Sequence, residues 1–133
     1  MRDYRFDHIH VRNPAPEAIA DFFETMFGAE VTRGICLTGT LYPGQKRISL
    51  LLGNQKTPIA PTHPDHPTAL APRSPYYGVE HIGLTVDDVD AAVAELRAKG
   101  ADIAIGPLNP NPGLRLAFLR GREGGMVELV QQR

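Results

Sequence analysis

Two histidines and one glutamate stand where they can share a divalent metal ion. His8 and His81 each follow an acidic residue and precede an isoleucine, and Glu128 interrupts the otherwise apolar stretch Met126–Val130. Two imidazoles and one carboxylate form a set that binds a divalent metal and leaves coordination positions open for a substrate. Taken singly, each residue is explained more simply as a satisfied core histidine or as part of a buried hydrogen-bonded pair. Their equivalent places in two similar halves of the chain favour the metal.

The two halves repeat one order of features. Each half opens on an acid-His-Ile strand, continues with a helix-period stretch and a Gly-Ala tetrapeptide, and closes on an apolar strand. The matching segments are Phe6–Val11 and Val79–Leu84, Gly28–Val31 and Gly100–Ile103, and Ile48–Leu51 and Val127–Val130. Such self-similarity signals a duplicated supersecondary unit. A pseudo-two-fold axis would bring His8 and His81 to one site.

The pattern of apolar residues in the first half predicts a strand, a helix and three further strands. The helix starts after Asn13, with prolines in its first turn, and ends at Gly28. The predicted strands are Tyr4–Val11, a strand from Val31 onward, Ile35–Tyr42 and Lys46–Leu52, with Pro43-Gly44 as a hairpin turn.

The second half follows the same plan. Asp87 is the expected N-cap of a helix that ends at Gly100. The predicted strands are Glu80–Val86, a short strand from Ile103, Leu114–Leu119 and Met126–Val130, with a loop over Gly106–Gly113. The fold class is therefore α+β, with two tandem βαβββ modules that form a curved mixed sheet around a metal-binding cleft.

One domain of 133 residues accommodates both modules. Module one spans residues 4–53, a proline-rich linker spans 54–77, and module two spans 78–133. Gly53–Gly78 carries six prolines, so we expect it to be neither helical nor a central strand over most of its length. A connection this long is typical of a lid or a crossover.

Strand alternation divides the residues between two faces. If the aliphatic positions face the helices, the opposite faces carry His8 and His10, His81 and Gly83, Arg47 and Ser49, and Met126 and Glu128. His10 then reaches the same cavity as His8, where it is either a general acid/base or a polar wall residue. Arg47 is either a bidentate clamp for a substrate carboxylate or enolate, or a solvated edge residue.

Composition excludes several classes of function. A formal net charge of −1 gives no reason to expect nucleic acid or an anionic membrane as partner. The lone Cys36 excludes an internal disulfide framework and fits a reducing cytoplasm. No apolar run reaches the length of a membrane helix, and the first residues lack a signal-peptide core.

These motifs resemble the vicinal oxygen chelate superfamily, which includes glyoxalase I, methylmalonyl-CoA epimerase, extradiol dioxygenases, and bleomycin- and fosfomycin-resistance proteins. The resemblance rests on Asp7–His10, Glu80–Asp88 and Met126–Val130 and covers nearly the whole chain. It implies that the metal positions are His8, Ser49, His81 and Glu128. Ser49 departs from the Glu or Gln of the metal isomerases, so either water fills that place or three residues hold the metal.

The resemblance implies a metal-dependent enzyme acting on a small oxygenated metabolite, by isomerase, epimerase or lyase chemistry through a metal-stabilised enolate. The metal is Mn, Ni, Zn, Co or Fe(II). Candidate catalytic residues are His10 and Glu128, and candidate substrate-binding residues are Arg47 and Ser49. The alternatives are an iron(II) extradiol-type dioxygenase and a metal-free antibiotic-binding protein. The resemblance also implies a homodimer.

Other polar residues have weaker claims to the site. One of Tyr42, Tyr76 and Tyr77 is a candidate to contribute a phenol at the mouth of the pocket. His63 and His66 have the spacing of metal ligands, but a solvated turn in the proline-rich linker explains them more simply. Arg115, Arg120 and Arg122 are most simply surface charges.

Overall fold

The computed structural model describes residues 2–36, 43–60, 69, 72–122 and 125–132. It divides into two compact units, Met1–Ala69 and Leu70–Arg133. The elements in chain order are β1 (Val11–Arg12), α1 (Pro16–Phe27), β2 (Glu30–Ile35), β3 (Lys46–Leu52), β4 (Gln55–Ala60), β5 (His81–Thr85), α2 (Val89–Ala98), β6 (Ile103–Asn111), β7 (Leu114–Arg120) and β8 (Met126–Gln132). Each unit is thus a βαβββ module, as predicted.

Unit 1 is a four-stranded sheet in the order β1-β4-β3-β2 with α1 against it. β1 runs parallel to β4, and the other pairs are antiparallel. The core forms where the apolar stripe of α1 meets the aliphatic side of the sheet, at Ile19, Ala20, Ile48, Leu50 and Ile59, with Val11, Phe23 and Val31 packed around them. Gly28 ends α1 in a left-handed conformation, with φ of 68°.

The predicted linker contains the last strand of module one. β4 lies inside the stretch 54–77 and pairs on both sides, with β1 and with β3. A proline removes one backbone donor, and since successive N–H groups of a strand point to alternate neighbours, Pro58 costs the ladder a bond on one side only. The prediction that this part of the chain forms no central strand is therefore wrong for Gln55–Ala60.

The predicted first strand, Tyr4–Val11, is regular only at Val11–Arg12, with an isolated parallel bridge from His8 to Lys56. The partner strand explains this. At the constant offset between β1 and β4, Phe6 faces the turn at Gly53 and Asn54, where the partner has ended. His10 faces Pro58, which has no N–H to donate. Residues 2–7 are exposed.

Unit 2 is a four-stranded sheet in the order β5-β8-β7-β6. β5 runs parallel to β8, and α2 contacts β6, β7 and β8. The buried apolar side chains of this unit are Val89, Val93 and Leu96 on α2 and Ala117, Leu119, Val127 and Leu129 on the sheet. The N-cap is Asp88 rather than the predicted Asp87, and its side chain accepts a hydrogen bond from the N–H of Ala91 at 3.0 Å.

The predicted loop Gly106–Gly113 is strand as far as Asn111, because β6 is an edge strand. Prolines are tolerated in an edge strand, and the register of β6 against β7 shifts along its length. The predicted strand Ile35–Tyr42 is described only to Cys36. Ile35 ends β2 there, and the remainder lies outside the described residues.

An arginine ties each helix to its sheet. Arg33 of β2 donates to Glu17 of α1 at 2.7 Å, and Arg115 of β7 reaches Asp90 of α2 at 2.6 Å. The hydrogen bond from Arg33 is the main reason that the pKa of Glu17 is lowered. Arg115, which the sequence suggests to be a simple surface charge, therefore connects two elements.

In both units the aliphatic strand positions face the helix, as alternation predicts. Ile48 and Leu50 are buried on that side of unit 1, and Val127 and Leu129 are buried on that side of unit 2. The candidate site residues consequently lie on the sheet faces away from the helices. No helix in the described ranges is long and apolar enough to cross a membrane.

Gly106 provides a test of the β6 geometry. Its φ is +80°, and an added Cβ would lie 2.8 Å from the carbonyl oxygen of Leu116; Gly100 has φ of +90° with nothing within 4 Å. We expect Gly100→Ala to lower the free energy of unfolding by about 1–2 kcal/mol for backbone strain, and Gly106→Ala by about 1–3 kcal/mol more for overpacking. Chemical denaturation measures both, and equal losses would contradict the close approach.

Candidate functional site

His81 and Glu128 meet on the open face of unit 2. Parallel pairing of β5 with β8 sets Gly83 opposite Glu128, and an added Cβ on Gly83 would lie 3.7 Å from Oε2 of Glu128. Nε2 of His81 lies 3.4 Å from that same oxygen, with the two side chains 38% and 19% exposed. The strand register therefore places an imidazole nitrogen and a carboxylate oxygen side by side at an accessible surface.

The other side of the His81 ring is also occupied. Nδ1 lies 3.1 Å from Oε1 of Glu80, the preceding residue. Phe118 packs edge-to-face against the ring, with centroids 5.2 Å apart at 85°. Phe118 stands directly opposite Glu128 in the β7–β8 pair. Two carboxylates and one aromatic ring thus hold the imidazole from three directions.

Glu80 is itself held in place by its surroundings. Its backbone oxygen accepts from the phenol of Tyr76 at 3.4 Å and from the N–H of Met126 at 3.3 Å. The pKa of its carboxyl is lowered, first by the hydroxyl of Ser74, then by His81, and further by the backbone N–H of Tyr76. Glu80 is consequently an ionised acceptor at neutral pH.

Unit 1 carries a similar acid-histidine pair. Nδ1 of His8 lies 2.6 Å from Oδ2 of Asp7, and both side chains are exposed. The ring of His10 is 6.4 Å from that of His8, on the same side of the strand. The pKa of His10 is lowered, first by loss of hydration, then by the positive charge of Arg12 and by electrostatic interaction with the neighbouring His8. At neutral pH His10 is an uncharged imidazole.

The strand register shows which residue of unit 1 corresponds to Glu128, and it differs from the Ser49 that the family resemblance implies. In unit 2 the residue two places after His81 faces Glu128 across a parallel pair. In unit 1 the residue two places after His8 is His10, and it faces Pro58 of β4 at the offset set by the His8–Lys56 bridge. Ser49 lies one strand away, opposite Pro58, and corresponds to Phe118. Ser49 is thus not the last-strand position that the sequence comparison suggests.

Arg47 and Ser49 share the face of unit 1 that points away from α1. Ser49 is 9% exposed. The guanidinium of Arg47 lies over Gly34 of the neighbouring strand, its Nη2 3.0 Å from where a Cβ would stand. A larger residue than glycine at position 34 would displace this side chain.

The structure joins some predicted site residues and leaves others apart. Unit 2 joins His81 to Glu128, and unit 1 places His8 near His10; each pair is described within its own unit. Within the described ranges, no group of three or more His, Cys, Asp or Glu side chains is close enough to hold a metal. Tyr42, His63 and His66 lie outside the described residues. Tyr77 is exposed, whereas Tyr76 bonds backbone oxygens.

Sequence reasoning missed the residues that hold the imidazoles. Asp7, Glu80 and Phe118 contact or brace His8 or His81 but were not candidates. A signal for two of them was present, because an acidic residue precedes the histidine in both halves. Phe118 carries no such signal, since only the β7–β8 register brings it to the site.

Comparisons with known proteins agree with this architecture. Residues 5–129 match the family described as Glyoxalase/Bleomycin resistance protein/Dioxygenase superfamily. The chain is 29% identical to the mitochondrial methylmalonyl-CoA epimerase of Homo sapiens, over 96% of this chain and 73% of the relative.

Solved structures with the same fold have diverse roles. A glyoxalase family protein from Enterococcus faecalis has a TM-score of 0.72 at 19% identity and covers 96% of this chain and 97% of its own. A fosfomycin resistance protein from Listeria monocytogenes has a TM-score of 0.72 at 16% identity, covering 99% and 96%. An antibiotic binding protein from Streptomyces sp. has a TM-score of 0.69 at 21% identity, covering 100% and 99%. These similarities show the fold alone.

Proposed function

The chain belongs to the glyoxalase/bleomycin resistance protein/dioxygenase superfamily, and we propose that it is a metal-dependent isomerase of the epimerase type. Its substrate is a small oxygenated metabolite with an acidic C–H next to a carbonyl group. The observation that carries the proposal is the contact of His81 with Glu128 on an accessible sheet face. The epimerase relative, matched over 96% of this chain, supports the reaction type.

The proposed metal ligands are His8, His81 and Glu128. The donor chemistry fits a divalent ion such as Mn, Ni, Zn, Co or Fe(II). Ligands about 2.1 Å from one ion stand about 3.0–3.4 Å apart, and Nε2 of His81 lies 3.4 Å from Oε2 of Glu128. When bound, the metal supplies Lewis-acid stabilisation of the negative charge that forms on the substrate's carbonyl oxygen.

Pro58 supports a three-residue ligand set. It occupies the unit 1 position that corresponds to Glu128, and a proline side chain has no donor atom. Three protein ligands leave more of the coordination sphere for substrate oxygens than four would. Neither Ser49 nor Pro58 is needed as a ligand in this proposal.

His10 is the proposed proton carrier. Its lowered pKa leaves the imidazole uncharged at neutral pH, as removal of a proton from carbon requires. His10 would take the proton from the carbon next to the carbonyl and become an imidazolium, which returns a proton to the same carbon. The centre inverts when the planar enolate turns its opposite face to His10 before the proton returns. Glu128 is the second candidate carrier. Arg47 and Ser49, on the same face of unit 1, are the proposed contacts for a substrate carboxylate.

Two further features belong to the proposal. The protein acts as a homodimer, as the family resemblance implies, and the single Cys36 fits a reducing, cytoplasmic setting.

Metal binding tests the ligand set. We expect the purified, untagged protein to bind one divalent ion per chain. His81→Ala and Glu128→Gln should each weaken binding more than about 100-fold, since a lost ligand costs more than the 10- to 100-fold loss of an outer hydrogen-bond partner. Calorimetry with Mn, Ni, Zn and Co measures the affinity. Glu30→Gln, on exposed strand β2, is the matched control; a wild-type protein that binds none of these ions would overturn the ligand set.

Proton exchange tests the reaction. With methylmalonyl-CoA and a panel of small carbonyl acids in deuterated water, we expect the loaded enzyme to exchange the proton next to the carbonyl. His10→Gln should lower the rate about 10²–10⁴-fold, because general base catalysis contributes that much, while metal affinity stays unchanged. Mass spectrometry follows the exchange.

Three results would contradict the proposed site or reaction. Exchange that His81→Ala leaves intact would mean that the site lies elsewhere. Oxygen uptake with catechols, and activity that requires air, would favour the dioxygenase. Tight binding of an antibiotic by the metal-free protein would favour a sequestering role.

A further inference from the structure

We propose that Glu80 and Asp7 are positioning residues that fix the proton of His81 and His8 on Nδ1 and turn Nε2 outward as a lone-pair donor. The inference deepens the proposed function and rests on it for the identity of the ligand that Nε2 meets. Its structural basis is one arrangement found twice, an acidic side chain bonded to the ring of the histidine that follows it.

The geometry at His81 assigns the proton. An ionised carboxylate only accepts hydrogen bonds. Each ring nitrogen of His81 faces one carboxylate, and the nitrogen with the shorter distance to its carboxylate carries the hydrogen. Nδ1 stands 3.1 Å from Glu80, whereas Nε2 stands 3.4 Å from Glu128 and lacks hydrogen-bond geometry. Nε2 of the neutral ring is therefore the unprotonated nitrogen, and it points toward the carboxylate that completes the proposed ligand pair.

Glu80 is anchored well enough to impose this choice. Its backbone is clamped by Tyr76 and Met126, and an added Cβ on Gly125 would lie 3.0 Å from its carbonyl oxygen. Its side chain is 23% exposed. These contacts fix the backbone that carries the Glu80 carboxylate, and so keep the carboxylate beside Nδ1 of His81. Phe118 restricts the ring plane from the other side.

The pair in unit 1 is the weaker of the two. Asp7 lies closer to its histidine, at 2.6 Å, but its side chain is 90% exposed. Water and salt screen an exposed pair more strongly. The backbone oxygen of Asp7 accepts from Gln55 at 3.0 Å, which ties the segment to β4. Removing Glu80 should therefore disturb its histidine more than removing Asp7 does.

Carboxylates in this position matter for metal binding in general. A histidine ligand that donates its other N–H to a carboxylate is held in one tautomer and one orientation, and loss of that partner typically costs about 10- to 100-fold in metal affinity. Asp7 and Glu80 are not among the proposed metal ligands. Their effect is exerted through the imidazoles.

Nitrogen NMR of the metal-free protein tests the inference without any metal. About two pH units above the ordinary histidine pKa of about 6.5, we expect His81 to be protonated on Nδ1. In Glu80→Ala the carboxylate that remains against the ring, among the described residues, is that of Glu128, so the proton should move to Nε2. Glu80→Gln, which keeps the packing but loses the charge, should give a mixture. His10, which has no carboxylate partner in the described ranges, is the internal reference.

Metal titration of the same variants adds the second readout. We expect Glu80→Ala to weaken binding about 10- to 100-fold and Asp7→Ala to weaken it less. Glu95→Ala, on the exposed face of α2, controls for the loss of one carboxylate. Circular dichroism confirms that each variant is folded.

The outcomes separate this inference from the proposed function. If wild type binds metal but Glu80→Ala changes neither the His81 tautomer nor the affinity, the inference is overturned and the ligand set stands. If wild type binds no metal yet Glu80→Ala still moves the proton, the positioning role stands and the ligand set is overturned. Protonation of His81 on Nε2 in the wild-type protein would also overturn the inference.

Discussion

The parallel pairing of β5 with β8 is the constraint on which the candidate site depends. These strands are distant in sequence, and their register alone sets Gly83 opposite Glu128 and brings the carboxylate to within 3.4 Å of His81. A shift by one residue would turn Glu128 to the helix side, into the space that Val127 and Leu129 fill. The buried aliphatic face therefore fixes the register, and the register fixes the site. In unit 2, the alternation of side chains between the two sheet faces therefore determines both the core packing and the position of the site residues.

Duplication gave the two units the same scaffold but different donors. Unit 2 keeps a histidine and a carboxylate on neighbouring parallel strands. Unit 1 keeps the histidine, places Pro58 where the carboxylate would be, and carries His10 where unit 2 has glycine. One copy thus offers a pair of donors, and the other offers one donor and a second, uncharged imidazole. In our proposal the two units have different roles: unit 2 supplies most of the metal ligands, and unit 1 supplies the residue that transfers the proton.

The sequence predicted those parts of the fold that local patterns control. The stripe from Ile19 to Phe27 and the alternation around His81 and Glu128 sufficed to place both helices and the two sheet faces. The predictions failed where pairing with a neighbouring strand decides whether a segment forms a strand. Gln55–Ala60 begins with polar residues and holds a proline, yet pairing on both sides makes it a strand. Tyr4–Phe6 has the pattern of a strand but pairs with no strand in the described part of the chain. The resemblance of Ile48–Leu51 to Val127–Val130 misled the assignment of Ser49, because similarity of composition carries no information about strand order.

The central claim is that His8, His81 and Glu128 hold one divalent ion. X-ray absorption of the cobalt-loaded protein measures the ligands of that ion directly. Our account predicts the scattering of two imidazoles with light oxygen neighbours in wild type, and of one imidazole in His81→Ala loaded at high cobalt. A spectrum without imidazole scattering, or one that His81→Ala leaves unchanged, would contradict it.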